Sequence, residues 1–304
     1  MDKERLKRIA IGLSGMDKQK QFAYLSALGV YNRLSDESYI KKKYRLYMGN
    51  ELNLENPVCF NEKMQWLKLY HHDEAYMTMV DKYEVKNYVA RRAGEEYIIP
   101  TLGVWDGVDE IDFDKLPEKF VLKCTHDAGS VILCTDKKAF DFAAAKAKLR
   151  KGLKRNFYYL NREWAYRGVK PRIIAEKYIA GGETGDLRDY KIYNFHGKAR
   201  AIQVSIDRFT RHKLYFYDTD WRYLGTKLES PADPGYMVER PEKLEEMLLL
   251  AERLSEGIPF VRTDFYCTNG SIYFGEFTFY PAGGYGKFVP EQLDYKFGGW
   301  INIL

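Results

Sequence analysis

The sequence predicts an α+β protein in which a helical N-terminal segment precedes two mixed lobes. Apolar residues recur at helical spacing up to about residue 95, whereas short runs rich in β-branched and aromatic residues follow it. The chain has 304 residues, of which 45% are apolar, and is therefore long enough for two or three lobes. The predicted division is a helical segment at 1–95, a small lobe at 96–180 and a large lobe at 181–304.

Two helices are predicted in the second half of the N-terminal segment. Asn61 is expected to cap the first, which continues to Tyr70, because asparagine accepts hydrogen bonds from the free N–H groups of a helix start. Asp81 is expected to cap the second, and Gly94 is expected to end it. No strand is followed by a glycine-rich helix start, so the pattern excludes a Rossmann-type opening.

The small lobe is predicted to be a group of strands around one helix. The helix has an apolar stripe from Phe142 to Leu153, and a turn at 126–130 joins two of the strands. The predicted strands lie at 98–105, 120–125, 131–134 and 172–179.

The large lobe alternates strands with one clear helix. A hairpin is predicted around residues 196–197, and a helix is predicted at 241–257 because proline opens it and glycine ends it. A final hairpin is predicted to join 260–266 to 272–280.

Charge and composition narrow the classes of function. The net charge is +5 and the 48 basic residues are spread along the chain, whereas nucleic-acid-binding proteins concentrate them on one face. The 4 cysteines lack CxxC or zinc spacing, which favours a reduced, cytoplasmic setting. The charged N-terminus does not read as a signal peptide, and no stretch approaches the roughly 18 apolar residues of a membrane span. We expect no nucleic-acid partner and no stable membrane insertion.

Charged residues interrupt the apolar and aromatic strands of the final hairpin. Arg262 and Asp264 lie on its first strand, and Glu276 and Thr278 lie on its second. A buried carboxylate is costly unless it is paired or binds a metal, so these residues are candidates for a magnesium site beside nucleotide phosphates. A structural network of arginine and carboxylates is the alternative, and these four residues alone do not decide between the two.

The register of this hairpin decides whether its charged side chains meet. A two-residue turn would place Asp264 opposite Gly275 and turn Glu276 to the other face. A three-residue loop at 268–270 would place Glu276 opposite Arg262, so that all three charged side chains share one face. We therefore predict the three-residue loop.

Lys123 is the one charged residue in an apolar strand of the small lobe, and a turn that contains Gly129 follows at once. An ammonium group suits a phosphate, and the backbone N–H groups of such a turn can approach phosphate oxygens. A lysine on the solvent face of an antiparallel sheet is the alternative. Further on, the backbone after Glu176 could read an adenine edge, although an ordinary strand end has the same pattern.

In this order, the candidate residues resemble the ATP-grasp superfamily, and the pattern of D-alanine–D-alanine ligase is similar at several points. Asp81-Lys82 resembles its first nucleotide-contacting lysine, and Lys123 resembles its phosphate lysine. Thr278 departs from the usual asparagine of the family, which bears on the third metal ligand. The other similar positions are Glu176-Lys177-x-Ile179 for the adenine linker, Glu183 for the ribose acid, and Arg262-x-Asp264 with Glu276-x-Thr278 for the last hairpin.

From about residue 40 onward the chain is more similar still to the TupA-like branch of this superfamily. In that branch a helical segment precedes the ATP-binding lobes, and members often act in surface-polysaccharide pathways. The stretches that carry the resemblance are Phe-Asn-Glu-Lys-Met-Gln-Trp-Leu-Lys at 60–68, Asp-Lys-Tyr at 81–83, Phe-Val-Leu-Lys-Cys-Thr-His-Asp-Ala-Gly at 120–129, Ile-Ala-Glu-Lys-Tyr-Ile at 174–179, Asp-Tyr-Lys at 189–191 and Gly-Glu-Phe-Thr-Phe-Tyr-Pro-Ala-Gly-Gly at 275–284.

The resemblance implies an ATP-grasp fold, in which two α+β lobes hold ATP between them. It implies an ADP-forming ligase that uses ATP and Mg²⁺ to join a small-molecule or glycan carboxylate to an amine through an acyl phosphate. The implied catalytic residues are Arg262, which would stabilise the oxyanion, and Lys123. The implied cofactor-binding residues are Lys82, Lys123, Ser130, Glu176, Lys177, Ile179, Glu183 and Lys191. The implied magnesium ligands are Asp264, Glu276 and Thr278. Further candidates on the substrate side are Lys191, Asp207, Arg208, Arg211 and Lys213.

Three other functions remain open at this stage. Asp218-Thr-Asp220 fits the short DxD pattern of glycosyltransferases, which bind Mn²⁺ with a sugar nucleotide. A kinase would have the same ATP site but form a phosphate ester instead of an amide. A catalytically idle ATP-grasp scaffold would bind a partner protein.

Overall fold

The computed structural model describes residues 14–181, 187–206, 213–227 and 237–303. Helices come first along the chain, and strands dominate after residue 100. The α-helices are α1 (Lys18–Ala27), α2 (Asp36–Met48), α3 (Phe60–Tyr70), α4 (Ala75–Val80), α5 (Val85–Arg92), α6 (Phe142–Leu153), α7 (Tyr158–Asn161), α8 (Leu244–Leu254) and α9 (Gln292–Gly299). The strands are β1 (Thr101–Trp105), β2 (Phe120–Cys124), β3 (Ile132–Cys134), β4 (Ile173–Lys177), β5 (Asp189–Phe195), β6 (Lys198–Ile206), β7 (Lys213–Tyr217), β8 (Tyr223–Lys227), β9 (Phe260–Thr268), β10 (Ser271–Thr278) and β11 (Phe288–Val289).

The helix α3 begins one residue before Asn61, so the prediction that Asn61 caps it is wrong. The carboxylate of Glu62 instead accepts a hydrogen bond from the backbone N–H of Val58 at 2.8 Å, ahead of the helix. The Asn61 amide donates to the carboxylate of Asp294 on α9 at 2.8 Å. A buried amide needs a hydrogen-bond partner. The side chain of Asn61 therefore connects α3 to the C-terminal helix α9 and does not cap the start of α3.

The helix α5 begins at Val85 with Glu84 at its N-cap position, so the prediction that Asp81 caps it is wrong, whereas the predicted end at Gly94 is confirmed. The carboxylate of Asp81 accepts hydrogen bonds from the backbone N–H groups of Tyr83 at 2.8 Å and Glu84 at 3.1 Å, just before the helix. Gly94 follows the helix with φ +127°, a left-handed conformation that glycine adopts without a steric penalty. This geometry places Lys82 in a defined position between the helical segment and the strands.

The small sheet has four antiparallel strands in the order β1-β4-β2-β3. On one face of β2, Phe120, Leu122 and Cys124 are buried in an apolar cluster that also contains Leu149 of α6. Because side chains alternate along a strand, Lys123 points to the opposite face. The apolar packing on one side therefore presents the lysine on the other.

The large sheet has seven antiparallel strands in the order β10-β9-β5-β6-β7-β8-β11. Helix α8 packs against β5, β6 and β9. On the face that carries Arg262 and its cross-strand partner Tyr193, the rings of Phe60 from α3 and Phe297 from α9 pack against Tyr193 and Phe260. Aromatic packing thus covers one end of this face and leaves the polar residues at the other end.

The final hairpin has a two-residue turn, so the predicted three-residue loop is wrong. Thr268 pairs with Ser271, and the turn residues Asn269 and Gly270 have φ +50° and +71°, which is the geometry of a type I′ turn. A bulge at Gly275 then shifts the register by one residue, so that Glu276 lies opposite Asp264. The two-residue turn alone would place Glu276 on the opposite face of the hairpin. The bulge brings it to the face that carries Arg262 and Asp264.

No helix in the described part of the chain is long and apolar enough to cross a membrane. The predicted boundaries of the lobes near residues 95 and 180 stay a prediction. The small sheet and the large sheet lie on either side of residue 180 in the sequence, and each has a hydrophobic cluster of its own.

Candidate functional site

The final hairpin places its four polar candidates on one face of the large sheet. Asp264 lies opposite Glu276, and Arg262 lies opposite Thr278. The guanidinium of Arg262 donates to both oxygens of Asp264 at 2.6 Å and to Oγ1 of Thr278 at 2.9 Å. Its distance to the nearer oxygen of Glu276 is 3.7 Å. Arg262 is therefore committed to Asp264 and Thr278, while Glu276 is only loosely held.

A second cation compensates Asp264 from the neighbouring strand β5. Lys191 lies opposite Asp264, and its ammonium is 2.8 Å from Oδ2 of that residue and also pairs with Asp189. Burial alone would raise the pKa of Asp264, but Arg262 and Lys191 outweigh burial and hold it below the ordinary value. We call Lys191, Arg262, Asp264 and Glu276 the large-sheet cluster.

Lys82 connects the large-sheet cluster to the small lobe. Its ammonium donates to the backbone carbonyl of Asp127 at 2.6 Å and lies 3.9 Å from Oε2 of Glu276. Its backbone N–H donates to the carbonyl of Thr125 at 3.0 Å. Lys82 thus lies between the turn after β2 and the last hairpin. The sequence predicts that both this lysine and this turn contact phosphates.

The turn at 125–130, which we call the glycine turn, is closed by its own side chains. The hydroxyl of Ser130 accepts from the backbone N–H of Cys124 at 2.8 Å and donates to the carboxylate of Asp127 at 2.6 Å. Ser130 is buried, and its side chain therefore shapes the turn. Gly129 is exposed, has φ +92°, and has open space where a Cβ would lie. A phosphate contact at this turn would therefore be to backbone N–H groups.

Lys123 shares a buried carboxylate with a lysine of the helical segment. Oε2 of Glu176 is 2.5 Å from the ammonium of Lys123, and Oε1 is 2.7 Å from the ammonium of Lys86 on α5. Burial alone would raise the pKa of Glu176, but the two lysines outweigh burial and lower it below the ordinary value. We call Lys86, Glu176 and Lys123 the small-sheet triad.

The end of β4 and the segment after it line a cavity of about 400 Å³. Lys177 and Ile179, both predicted for the adenine linker, lie on one wall, and Thr268 and Tyr273 from the tip of the final hairpin lie on another. The hydroxyl of Thr268 donates to the carbonyl of Ala180 at 3.1 Å, which ties the segment to the hairpin. The cavity is large enough for a purine ring.

Several candidates of the sequence lie outside the described residues. Glu183, predicted to contact the ribose, is one, and so are Asp207, Arg208, Arg211 and the side chain of Lys213.

The donor set of the hairpin fits Mg²⁺. Mg²⁺ takes one or two carboxylates together with water and phosphate oxygens, and Asp264 and Glu276 lie directly opposite each other with the hydroxyl of Thr278 nearby. Glu276 has acceptor capacity to spare because its closest cations among the described residues, Arg262 and Lys82, are 3.7 and 3.9 Å away. No group of three or more His, Cys, Asp or Glu side chains is arranged for a metal in the part of the chain that the structure describes.

The first aspartate of the DxD pattern stabilises the turn between β7 and β8 in which the pattern lies. Oδ1 of Asp218 accepts from the backbone N–H groups of Asp220 at 3.0 Å and Arg222 at 2.8 Å. This is the ordinary role of aspartate at the first position of a turn. The geometry therefore gives the pattern a local structural role.

Sequence reasoning missed two charged residues that complete these clusters. Asp189 precedes Lys191 by two residues, and the alternation of a strand could have placed both on one face. Lys86 follows Lys82 by four residues in the helical segment, and no sequence signal relates it to Glu176, since the two are 90 positions apart.

Comparison with known proteins identifies the family. The model of the TupA-like ATPgrasp family matches residues 62–302. Among solved structures, D-alanine–D-alanine ligase from Bacillus anthracis is 15% identical, with 87% of this chain and 84% of that chain covered and a TM-score of 0.41. L-amino acid ligase from Bacillus licheniformis is 12% identical, with 83% and 57% covered and a TM-score of 0.45. No curated protein matches the chain.

The family match covers most of the chain, from the first turn of α3 to beyond the end of α9. The prediction of an α+β, ATP-grasp fold preceded by helices is confirmed by this match and by the order of helices and sheets. The chain belongs to the TupA-like ATP-grasp family.

Proposed function

We propose that this protein is an ATP- and Mg²⁺-dependent ligase that joins a carboxylate to an amine through an acyl phosphate. The observation that carries the proposal is the position of Lys82, which contacts the glycine turn at 2.6 Å and approaches Glu276 of the last hairpin at 3.9 Å. Transfer of the γ-phosphate of a nucleotide requires a phosphate site next to a metal site, and Lys82 lies between the two candidate sites.

ATP would lie along the surfaces described above. The adenine would occupy the cavity beside Lys177 and Ile179, where backbone groups can read its edge. The phosphates would extend toward Lys123, Lys82 and the backbone of the glycine turn. Of the cofactor-binding residues predicted for the small lobe, this assignment uses Lys123, Lys177 and Ile179 directly and Ser130 through the shape of the turn, whereas Glu176 is paired with Lys86 and Lys123.

The large-sheet cluster would hold the metal. Asp264 and Glu276 would bind Mg²⁺, with the hydroxyl of Thr278 as a further oxygen donor. Mg²⁺ bound there would neutralise charge on the β- and γ-phosphates. Because Asp264 is already compensated by Arg262 and Lys191, most of its negative charge is balanced, and Glu276 would contribute the less compensated carboxylate.

The reaction has two steps. A carboxylate oxygen of the substrate attacks the γ-phosphorus, the bond to the β-phosphate oxygen breaks, and ADP leaves. The amine then attacks the carbonyl carbon of the acyl phosphate, loses a proton to solvent, and inorganic phosphate leaves as the C–N bond forms. Arg262, whose side chain is nine-tenths buried, would stabilise the oxyanion of the second step.

The glycine turn would protect the acyl phosphate. Ala128 and Gly129 are exposed at its tip, and closure over the phosphates would exclude water, which otherwise hydrolyses the intermediate. The proposed substrates are a uronic acid or amino acid carboxylate and an amine. The proposed setting is the cytoplasm, which the spacing of the cysteines favours, and by analogy with the family the proposed pathway is surface polysaccharide biosynthesis.

Hydroxylamine trapping tests the proposal. The purified chain is incubated with ATP, Mg²⁺, hydroxylamine and a panel of uronic acids and amino acids, and hydroxamate and ADP are assayed together. We expect hydroxamate only with ATP and one class of acid. ADP without hydroxamate, together with a phosphate ester, would favour a kinase. Hydrolysis of a sugar nucleotide with neither product would favour a glycosyltransferase.

A further inference from the structure

Lys86 of α5 is a lysine that none of the assignments above uses. Its ammonium contacts Oε1 of Glu176 at 2.7 Å, the carbonyl oxygen of Ile99 at 2.7 Å and Oγ1 of Thr101 at 2.9 Å. An ammonium group has three N–H donors, so these three acceptors use its whole capacity. Lys86 is 13% exposed and is held in place. It has no donor left for a ligand of its own.

Lys123 differs from Lys86 in this respect. Among the described residues, Oε2 of Glu176 is the single polar partner of its ammonium, at 2.5 Å. Two of its three donors therefore remain for an incoming anion. Glu176 in turn has one lysine on each oxygen and is only 5% exposed.

The sum of charges shows what Lys86 changes. Glu176 and Lys123 alone sum to zero, and a closed pair of this kind attracts a phosphate weakly. With Lys86 included, the net charge of the small-sheet triad is +1. Lys123 presents this positive charge to a ligand, because it has unused N–H donors and Lys86 has none. Screening by water is reduced in a partly buried site, so a Glu176 carboxylate compensated by Lys123 alone would offset most of the attraction of Lys123 for a phosphate.

We propose that Lys86 is a positioning residue of the ATP site, which neutralises Glu176 and so leaves the charge of Lys123 available to a phosphate group. The inference rests on the proposed function, because it needs ATP to bind beside Lys123. It adds a role for the helical segment, since α5 then supplies a charge to the small sheet without touching the nucleotide.

Binding measurements on the full chain test this role. Affinities for MgATP and for adenosine are measured by displacement of a fluorescent ATP analogue. Lys86→Met should raise the Kd for MgATP about tenfold and leave the Kd for adenosine within about twofold, because adenosine has no phosphate. Lys86→Arg should restore MgATP binding to within about threefold. Lys170→Met, which removes an exposed lysine paired with Asp106, is the matched control and should change neither affinity.

A double-mutant cycle separates this role from a merely structural one. With Glu176→Gln there is no carboxylate to neutralise, so adding Lys86→Met should weaken MgATP binding less than about twofold. An equal tenfold loss in both backgrounds, or an equal loss of adenosine binding, would overturn the inference. If Lys86→Met alone does not fold, the double variant still tests the inference, since neither it nor Glu176→Gln contains an uncompensated carboxylate: MgATP binding about tenfold weaker than that of Glu176→Gln would overturn it. A wild-type chain that binds no ATP would instead overturn the proposed function, and this inference with it.

Discussion

The small-sheet triad and the large-sheet cluster are both built around a buried carboxylate with cations on each oxygen, yet they leave groups of opposite sign incompletely paired. Each oxygen of Glu176 is paired with a lysine, Lys86 or Lys123, and Lys123 keeps free donors. Both oxygens of Asp264 are likewise paired with cations, Arg262 and Lys191, and these contacts use three of the about four acceptor positions of the carboxylate, so one remains for Mg²⁺. In the large-sheet cluster it is an anion that remains, because Glu276 is 40% exposed and no closer than 3.7 Å to a cation of the described residues.

This difference indicates which part of MgATP each sheet would bind. A cation with free donors suits a phosphate, and a carboxylate with free acceptor positions suits Mg²⁺. The two buried, paired carboxylates hold the neighbouring charges in position, and Asp264 would bind Mg²⁺ as well. It follows that removing a buried, paired carboxylate should lower both stability and activity, whereas removing an incompletely paired group should lower activity alone.

The largest expected effect is that of Asp264→Asn. The change leaves Arg262 and Lys191 without their shared carboxylate in a buried site, so we expect the free energy of unfolding to fall by about 3–5 kcal/mol. Loss of a metal ligand should also lower the rate of ADP formation at least about 100-fold. Urea denaturation and an ADP assay measure the two effects. An unchanged urea midpoint would show that the buried charges do not depend on Asp264.

Glu276→Gln is the matched test on the opposite strand. Glu276 is half exposed and has no close ion pair, so the free energy of unfolding should stay within about 0.5 kcal/mol of the wild type. The rate of ADP formation should still fall at least about 100-fold, because the less compensated carboxylate is removed. A loss of stability as large as that of Asp264→Asn would erase the distinction between the two carboxylates.

Gly275→Ala tests the bulge that aligns the large-sheet cluster. A Cβ at this position would lie 3.2 Å from the backbone oxygen of Asp264 and 3.3 Å from Cε2 of Tyr266. We expect the free energy of unfolding to fall by about 1–2 kcal/mol and ADP formation to slow, because Glu276 loses its alignment. Gly299→Ala is the control, since nothing lies within 4 Å of its Cβ position. Equal denaturation midpoints for the two variants would contradict the close approach.

The smallest expected effect is a pH dependence from Glu176. Its pKa in the folded chain is below the ordinary value of 4.5, so its contribution to stability is complete above pH 4.5 and is lost as pH falls through the lowered pKa. The difference in unfolding free energy between the wild type and Glu176→Gln should therefore be constant above about pH 5 and shrink below it. Urea titrations at a series of pH values measure this difference. If the difference in unfolding free energy between the wild type and Glu176→Gln grew on acidification, it would contradict a lowered pKa of Glu176.

Much of the fold and part of the candidate site could be predicted from local pattern. Alternation along a strand relates Arg262 to Asp264 and Glu276 to Thr278, and this holds in the structure. The register between the two strands could not be predicted, because it depends on the bulge at Gly275. A glycine within a strand is compatible with a bulge, a bend or the close approach of another chain segment, so Gly275 alone does not say which of these occurs.

Contacts between distant segments were also beyond the sequence. The charge of Lys86 is visible, but its pairing with Glu176 depends on how α5 packs beside the small sheet. Asn61 was expected to cap a helix because asparagine prefers that position, yet its contact with Asp294 across the fold takes precedence. In each case a long-range partner, unknown at the level of the sequence, overrides a local preference.

The most direct test of the proposed chemistry follows the oxygen atoms of the substrate. The acid found by hydroxylamine trapping is labelled with ¹⁸O in its carboxyl group and incubated with the protein, ATP, Mg²⁺ and an amine, and the inorganic phosphate released is analysed by mass spectrometry. An acyl phosphate predicts one ¹⁸O atom in each phosphate, because the carboxylate oxygen that attacks the γ-phosphorus leaves with it. Inorganic phosphate free of ¹⁸O, formed together with the amide, would contradict the account.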